Sequence, residues 1–505
     1  MAIESEDKLL FRPKGDRLVT GSIFSLIAMI TTRVATIFNA IVIIRVLGPA
    51  DYGVLSIVIL TISLASIAAN FQTPQALVKF LASTSNDRPE ETNRLLGAGF
   101  ALTIFSTVLT LIVLVILTPI LAFSVYNDSR LEWLLLLALI SLVLSSIFSP
   151  LLSTFRAFER IKELGIRNTV ASLLSIPSTL ILVFYFKLEG AVMAMVLNAV
   201  IAIIVNLALL RNIWTSRRLK LEIPRTRSVY LKIANFAIPA FFSSVVVAAL
   251  FWFCGTLLSN GGAWFVELGR YSAGYGLAGY ILFISASIAV PLVPMISRLN
   301  QEDPKDMPGF VIRTLRVGAF LTLPLTLILI AMPEPFLRIL YGSPFVAGAT
   351  VVRFVAPAIF LASIANLVGS GMAGTGQMKS ALLLNLIWAI PLAIMAITFI
   401  PIWRENGLAF AIFVAYAIQF TSTLAFIKFS WHVELKLLAP LLLIALIAIP
   451  TATLISFYVG LGRLLLAVIF ITAVFIAGLS VMSKRELEVL GQPFSKFFSR
   501  FSRRD

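Results

Sequence analysis

Long runs of apolar residues, each bounded by charged and turn-forming residues, dominate the chain. A run of about 20 such residues is long enough to cross a bilayer as an α-helix. The pattern therefore predicts an all-α, polytopic membrane protein. We place about fourteen membrane-spanning helices near residues 21–44, 53–71, 95–123, 132–153, 169–186, 190–210, 233–258, 271–296, 314–332, 346–371, 380–400, 407–427, 437–458 and 463–482.

The positions of Lys and Arg indicate how these helices are oriented. Of the 40 basic residues, 31 fall on the side of the N-terminus or at the adjoining helix ends, and seven fall on the opposite side. The other two, Arg33 and Arg353, lie within predicted helices. Basic residues collect on the cytoplasmic side of membrane proteins. We therefore expect a multi-pass cell-membrane protein with both termini in the cytoplasm.

Composition changes this picture in three ways. The chain is 59% hydrophobic and 13% charged, which excludes a soluble globular protein. The net charge of +16 is explained by the orientation, so we predict contact with membrane lipid and no nucleic acid partner. With one cysteine, Cys254, and one histidine, His432, we predict no metal site and no cofactor.

The predicted connections on the outer side have about a dozen residues or fewer. A polytopic glycosyltransferase normally carries catalytic carboxylates on larger external loops, so an enzyme is the weaker alternative. The first twenty residues mix acidic and basic side chains without a long apolar run, and do not resemble a cleavable signal peptide.

Two motif pairs indicate an internal repeat. Leu47-Gly48 and Leu268-Gly269 both precede a predicted helix and are 221 residues apart. Lys162 precedes Asn168 by six residues, as Lys379 precedes Asn385, at an offset of 217. Two similar offsets predict two six-helix lobes in parallel repeat, with two helices appended. The predicted divisions are a cytoplasmic segment 1–20, lobe 1 at 21–210, a basic linker 211–232, lobe 2 at 233–428, helices 13 and 14 at 437–482, and a basic tail 483–505.

Transporters built from parallel repeats bind substrate between the lobes near the bilayer midplane and work by alternating access. Polar residues inside the predicted helices therefore indicate what is bound. Helix 1 carries serine, threonine and Asn39 on one face, with Arg33 at its edge. Small hydroxylated residues also let helices pack closely, which is the simpler interpretation of the serines and threonines.

Arg33 lies about twelve residues from the cytoplasmic end of helix 1, or roughly 18 Å at 1.5 Å per residue. At that depth a guanidinium must face protein or a water-filled cavity. None of the 24 acidic residues lies in the middle third of a predicted helix, whereas a cation-coupled antiporter needs a buried carboxylate. The charges therefore favour an anionic substrate, and phosphate or pyrophosphate suits an arginine.

The stretch Thr32-Arg33 followed by Arg45-Val46-Leu47-Gly48-Pro49-Ala50-Asp51-Tyr52-Gly53 resembles the opening of the Wzx-type polysaccharide-biosynthesis flippases. These belong to the multidrug/oligosaccharidyl-lipid/polysaccharide (MOP) exporter superfamily. Leu268-Gly269-Arg270-Tyr271-Ser272-Ala273 is similar to the counterpart in the second lobe of that family, and Leu340-Tyr341-Gly342 to a later turn. The resemblance implies transport of a polyprenyl-linked oligosaccharide, with its phosphate in a cationic cavity. It also leaves room for a downstream polymerase or ligase as partner.

The predicted substrate-binding residues follow from this hypothesis. We expect Arg33 to pair with the phosphate, helped from the cytoplasmic mouth by Lys79 and Arg156. Arg353 is a further candidate, although snorkelling towards the membrane surface explains it equally well. The predicted sugar contacts are Asn39, Asn70, Gln72, Tyr271 and Tyr275. A drug or organic-cation antiporter of the multidrug (MATE) type and a scaffold that recruits other enzymes stay as alternatives.

Overall fold

The computed structural model of the 505-residue chain describes residues 15–82, 89–158, 160–217, 220–224, 226–302, 306–458 and 460–482. These residues are almost entirely helical, and no β-strand occurs among them. Most of the predicted segment 1–20 and all of the tail 483–505 lie outside the described residues. The α-helices are α1 Gly15–Asn70, α2 Thr73–Ala82, α3 Pro89–Pro119, α4 Arg130–Ala157, α5 Ile161–Arg217, α6 Arg227–Ser259, α7 Phe265–Glu302, α8 Met307–Ala331, α9 Pro333–Leu340, α10 Ala349–Thr375, α11 Met378–Ser430, α12 Ala439–Ile455 and α13 Leu461–Val481.

Ten helical stretches in the described part are long and apolar enough to cross a membrane. The prediction of an all-α, multi-pass membrane protein is thereby confirmed. The count of ten falls below the fourteen predicted partly because three stretches, of 43, 50 and 52 residues, are each about twice as long as one crossing needs.

Each of these three long helices contains one residue with a non-helical backbone. The φ angles are 70° at Gly48 in α1, 47° at Lys187 in α5 and 49° at Arg404 in α11. All three lie in connections that the sequence predicts to be short. A left-handed φ is free of steric cost at glycine but unfavourable at lysine or arginine. The surrounding helices must therefore hold Lys187 and Arg404 in place.

The breaks in α5 and α11 share a second feature. A Cβ atom built on Gly190 would lie 1.9 Å from the carbonyl oxygen of Leu182, and one built on Gly407 would lie 2.1 Å from that of Phe399. Only glycine allows so close an approach of two backbone segments. The glycines, the carbonyls and the break residues are all separated by 217 residues, the offset that separates Lys162 from Lys379.

The chain divides into two compact units, residues 1–266 and 267–505. The boundary follows α6, whereas the sequence places lobe 2 from residue 233. Side chains of α6 bond within unit 1: Trp252 Nε1 donates to Thr61 Oγ1 over 3.0 Å, and Thr256 Oγ1 lies 2.7 Å from the Tyr126 hydroxyl. These contacts explain why α6 groups with unit 1. The predicted division into lobes stays a prediction.

In unit 2, α13 is fixed to α8 at both of its ends. Near its beginning, Arg463 Nε donates to the carbonyl oxygen of Ala331 over 2.7 Å. At its end, the Arg316 guanidinium donates to the carbonyl oxygen of Val481. Terminal carbonyls of a helix lack partners within it, so this arginine satisfies one of them. Helix α13 is therefore integrated into unit 2.

Candidate functional site

A row of polar side chains joins α1 to α5 inside unit 1. Ser172 Oγ donates to Thr32 Oγ1 over 3.2 Å, and Asn39 Nδ2 donates to Ser175 Oγ over 2.9 Å. Further along α5, Ser178 Oγ donates to Asn198 Oδ1 over 2.8 Å. The spacing of three residues between the serines keeps them on one face of the helix. We call this row the α1–α5 seam.

Asn39 is the member of the seam that has a buried polar atom without a hydrogen bond to any described residue. Its amide nitrogen is bonded to Ser175, but its buried Oδ1 has no hydrogen-bond partner among the described residues. Buried acceptors in native proteins nearly always have a donor. A hydroxyl of a bound sugar or a water molecule would supply one. The geometry thus suits the predicted sugar contact of Asn39, which stays a prediction.

Arg33 lies beside the seam on α1, directly after Thr32, and is half-buried. It is the sixth residue of the apolar stretch 28–70. Its predicted role in binding phosphate stays a prediction.

Asn70 ends α1, Gln72 lies in the turn before α2, and both form hydrogen bonds to other helices. Asn70 Nδ2 donates to the carbonyl oxygen of Ser66 over 2.8 Å, and its Oδ1 accepts a bond from Ser149 Oγ of α4. Gln72, with φ of 52°, donates to Ser244 Oγ of α6 over 2.9 Å. Both amides are therefore engaged with neighbouring helices, and their contact with sugar stays a prediction.

Lys79 and Arg156, the two predicted helpers, are both exposed side chains of unit 1. Lys79 Nζ lies 4.5 Å from the centroid of the Phe236 ring, and Lys232 Nζ lies 5.1 Å from that of Phe80. Such cation–π pairs hold a lysine over an apolar surface without cancelling its charge. Arg156 lies in the last turn of α4. Both positions leave a positive charge open to a ligand.

Tyr271 and Tyr275 are neighbours on α7 in unit 2, with ring centroids 5.9 Å apart. The Tyr275 hydroxyl is hydrogen-bonded to Tyr416 of α11, whose ring lies 5.4 Å from Trp388. The sequence did not single out Tyr416 and Trp388, because each stands alone in an apolar run and only the break in α11 brings them together. The four residues form an aromatic cluster.

Arg353 has a carboxylate partner. Its guanidinium pairs with Glu334 of α9, and its Nε donates to Ser456 Oγ over 3.0 Å. Arg463 Nη2 lies 2.6 Å from the other oxygen of Glu334. Burial favours the neutral acid, but the hydrogen bond from Arg463 and the two positive charges outweigh it and lower the pKa of Glu334. We call these three residues the Glu334 cluster; a role of Arg353 in binding substrate stays a prediction.

A second ion cluster lies where unit 1 passes from α3 to α4. Arg130 Nη1 lies 3.0 Å from Asp51 Oδ1, and its Nη2 lies 2.8 Å from Asp128 Oδ2. Burial would raise the pKa of Asp128, yet the bonds and charge of Arg130 hold it below its usual range.

Acidic side chains of the described part occur at helix ends, at breaks or between helices. Among those residues, no group of three or more His, Cys, Asp or Glu could hold a metal ion.

Residues 18–300, more than half of the chain, match the sequence profile of the family "Polysaccharide biosynthesis protein". The chain belongs to this family. No curated protein matches the sequence.

Solved structures show the same fold at low sequence identity. The lipid II flippase MurJ, in an inward closed conformation, is 14% identical, with a TM-score of 0.70 over 94% of this chain and 99% of MurJ. An inward-facing MATE multidrug resistance transporter of the MOP superfamily is 14% identical, with a TM-score of 0.64 over 81% of this chain and 99% of the transporter. The fold is therefore shared with MurJ and with this transporter, and the family match confirms the resemblance to polysaccharide-biosynthesis proteins found in the sequence.

A third neighbour is a MOP superfamily transporter from Pyrococcus furiosus. It is 14% identical, with a TM-score of 0.59 over 81% of this chain and 95% of its own. Its binding pocket is described as having reverse polarity, which suggests a different function for that protein.

Proposed function

We propose that the protein is a flippase for a polyprenyl-linked oligosaccharide. The lipid, undecaprenyl or dolichyl, carries the sugar through a phosphate or pyrophosphate, and the protein moves it from the cytoplasmic to the outer leaflet. The family assignment supports a role in polysaccharide biosynthesis. The fold shared with a lipid II flippase supports movement of a lipid-linked substrate rather than catalysis.

One observation carries the choice of an anionic substrate. Arg33 is half-buried within the apolar stretch 28–70 of α1, whereas the acidic residues of the described part occupy helix ends, breaks and connections. A charge at that depth is expensive unless it faces a cavity or a partner. A phosphate group in such a cavity gains two parallel hydrogen bonds from one guanidinium.

The proposed mechanism is alternating access between two lobes. We count each broken helix as two crossings and α12 as one, which gives fourteen crossings and leaves both termini in the cytoplasm. Arg33 would hold the phosphate, and Lys79 and Arg156 would attract it from the cytoplasm. Asn39, with its unpaired acceptor, and the aromatic cluster of unit 2 would contact the sugar.

The experiment is reconstitution of the purified protein into vesicles with a fluorescent lipid-linked glycan. We expect Arg33→Ala to slow flipping at least about tenfold, since a charge-assisted hydrogen bond contributes roughly 1.5–3 kcal/mol. Arg33→Glu should abolish flipping. Arg94→Ala is the matched control, because Arg94 is exposed and, within the described part of the chain, its ion pair is with the neighbouring Glu90. Flipping by both Arg33 variants at the wild-type rate would remove this residue from the mechanism.

A MATE-type antiporter is the second candidate, because several structures of similar fold are multidrug transporters, one of them solved in complex with a ligand. A cationic dye accumulated in vesicles in response to a sodium or proton gradient would favour it. We expect no such accumulation, since a cationic substrate and Arg33 would repel each other.

A further inference from the structure

A two-residue turn interrupts the helix that would otherwise run from α1 into α2. Phe71 and Gln72 both have a left-handed backbone, with φ angles of 47° and 52°. Neither residue is a glycine, and this conformation is unfavourable for residues that carry a Cβ atom. Strained backbone of this kind persists only where the surrounding structure holds it in place. We call residues 71–73 the α1–α2 joint.

Contacts with α6 hold the joint in its broken conformation. Gln72 Nε2 donates to Ser244 Oγ over 2.9 Å, and the ring centroid of Phe71 lies 5.1 Å from that of Phe241. Both residues with a left-handed backbone thus use their side chains to contact the same helix. The conformation of the joint therefore depends on the position of α6.

The broken joint leaves the hydroxyl of Thr73 without a partner. Thr73 is fully buried, and its Oγ1 forms no hydrogen bond with any described residue. Within a continuous helix, a threonine hydroxyl can donate to the carbonyl oxygen four residues earlier, as Thr103 of α3 does to Gly99 over 2.9 Å. The equivalent acceptor for Thr73 is the carbonyl oxygen of Ala69, which the break moves out of reach.

The carbonyl oxygen of Ala69 is bonded to α3 instead. It accepts hydrogen bonds from Ser106 Oγ over 2.6 Å and from Thr107 Oγ1 over 3.2 Å. In a continuous helix the same oxygen would accept bonds from the backbone N–H and the hydroxyl of Thr73. The broken and continuous conformations thus exchange one set of hydrogen bonds for another.

Pro74 opposes the continuous conformation. It has no backbone N–H, and in a continuous helix its ring would clash with the carbonyl group of Asn70, four residues earlier. In the first turn of α2, where Pro74 lies, a proline is well tolerated. The broken joint gains from Pro74 and from the bonds of Ala69, and loses through its strained backbone and the hydroxyl of Thr73. Favourable and unfavourable contributions thus oppose each other in both conformations, as a two-state element requires.

We propose that the α1–α2 joint is a two-state hinge. It is broken while Phe71 and Gln72 contact α6, and α1 and α2 form one continuous helix when these contacts are released. The change moves Lys79 of α2, which in the proposed function attracts the phosphate from the cytoplasm. The inference rests on that function for the role of the hinge in transport, whereas the two conformations are a property of the fold.

The test measures the distance between nitroxide labels at Ile59 of α1 and Lys79 of α2 by pulsed electron paramagnetic resonance, with the full chain in nanodiscs. Both side chains are exposed, and Cys254 is buried, so cysteines introduced at the two positions can be labelled selectively. A continuous helix places them about 30 Å apart, at 1.5 Å per residue. The broken joint gives a shorter distance, because the left-handed residues turn the chain away from the axis of α1. Wild type should show both distances, with the shorter one predominating.

Three small substitutions should shift the distances in opposite directions. Ser244→Ala removes the bond to Gln72, and Pro74→Ala removes the obstacle to a continuous helix, so each should raise the ratio of long to short distances about fivefold or more. Thr73→Val keeps the shape of the side chain and removes the unpartnered hydroxyl, so it should lower this ratio by about the same factor. Thr103→Val is the matched control, because Thr103 is equally buried but its hydroxyl is bonded within a continuous helix.

A distance distribution that is the same in wild type and in all three variants would overturn the hinge. Thermal unfolding of each variant shows whether it is folded. The three substitutions act through different atoms, so two of them still decide the question if one variant does not fold.

Flipping of a lipid-linked glycan separates this inference from the proposed function. Pro74→Ala and Thr73→Val should both flip more slowly than wild type, because each favours one conformation over the other. Wild-type flipping rates in variants whose distances have shifted would overturn the role of the hinge in transport. If wild type shows both distances but flips no glycan, the hinge stands and the flippase assignment fails.

Discussion

Replacing Glu334 with glutamine tests how the C-terminal helices are held in unit 2. The variant keeps the size of the side chain and removes the negative charge between Arg353 and Arg463. The side chains of these arginines are only 17% and 11% exposed, and that of Glu334 is 26% exposed. Glutamine would leave two poorly solvated positive charges facing each other, with no compensating carboxylate.

The magnitude follows from the burial. Removing one partner of a buried ion pair costs about 3–5 kcal/mol. Water reaches part of the Glu334 cluster, so we take the lower limit, about 3 kcal/mol. Unit 2 has the size of a domain in which 1 kcal/mol shifts the unfolding temperature by roughly 2–4 °C, which gives a fall of about 6–12 °C.

The assay is thermal unfolding of the purified protein in detergent. Glu163→Gln is the matched control, because its pair with Arg160 is more exposed and such surface pairs contribute only about 0–1 kcal/mol. Arg463→Gln combined with Glu334→Gln should be less damaging than the sum of the two single changes. Equal unfolding temperatures for Glu334→Gln and Glu163→Gln would refute the reasoning.

Four further predictions follow from the described contacts. The pKa of Glu334 is lowered in the folded protein, so its ionised side chain stabilises the fold at a pH above the pKa of the unfolded state. This stabilisation should be lost as the pH falls through the pKa of the folded state. In a pH series, the unfolding temperature of the wild type should therefore fall in acid more than that of Glu334→Gln does. Gly190→Ala and Gly407→Ala should each sharply reduce the yield of folded protein, because the added methyl group would clash with a carbonyl oxygen. Gly279→Ala is the control and should fold normally, because no atom lies within 4 Å of the added methyl group. The size-exclusion profiles of the three variants measure the folded yield. Tyr416→Phe should weaken binding of the glycan headgroup severalfold if the aromatic cluster contacts sugar, and unchanged affinity would exclude that contact. Cys254 is buried, so cysteines introduced at Asn127 and Glu163 can be labelled selectively; an impermeant maleimide should reach only position 127 from outside intact cells, and the reverse pattern would invert the proposed orientation.

The hydrophobic pattern predicted the helices well, because a helix that crosses a bilayer needs a long apolar segment and such segments are visible in the sequence. Even the short connection at Lys187 appears in the structure, as a single residue with positive φ rather than a loop. The repeat was also readable, since the offset between Lys162 and Lys379 recurs at Gly190 and Gly407. The sequence did not predict that α6 would pack with unit 1, because Trp252 and Thr61 lie 191 residues apart.

The candidate site was harder to read from the sequence, and for a physical reason. A lone arginine inside an apolar run carries the same signal whether it binds a ligand or a carboxylate. Arg353, for example, is paired with Glu334, which comes from a different helix. In the sequence, Arg167 is one more cytoplasmic charge, and its bond to Asn206, from the second half of α5, depends on the fold.

The central claim is that this chain alone moves a lipid-linked oligosaccharide across a bilayer. The most direct measurement is the loss of fluorescence when an impermeant reductant is added to vesicles that contain a labelled lipid-linked glycan. Protein-free vesicles should lose only the signal of the outer leaflet, whereas vesicles with the purified protein should lose nearly all of it, and those with Arg33→Glu should behave as if empty. Retention of the inner-leaflet signal in the presence of folded wild-type protein would contradict the flippase function.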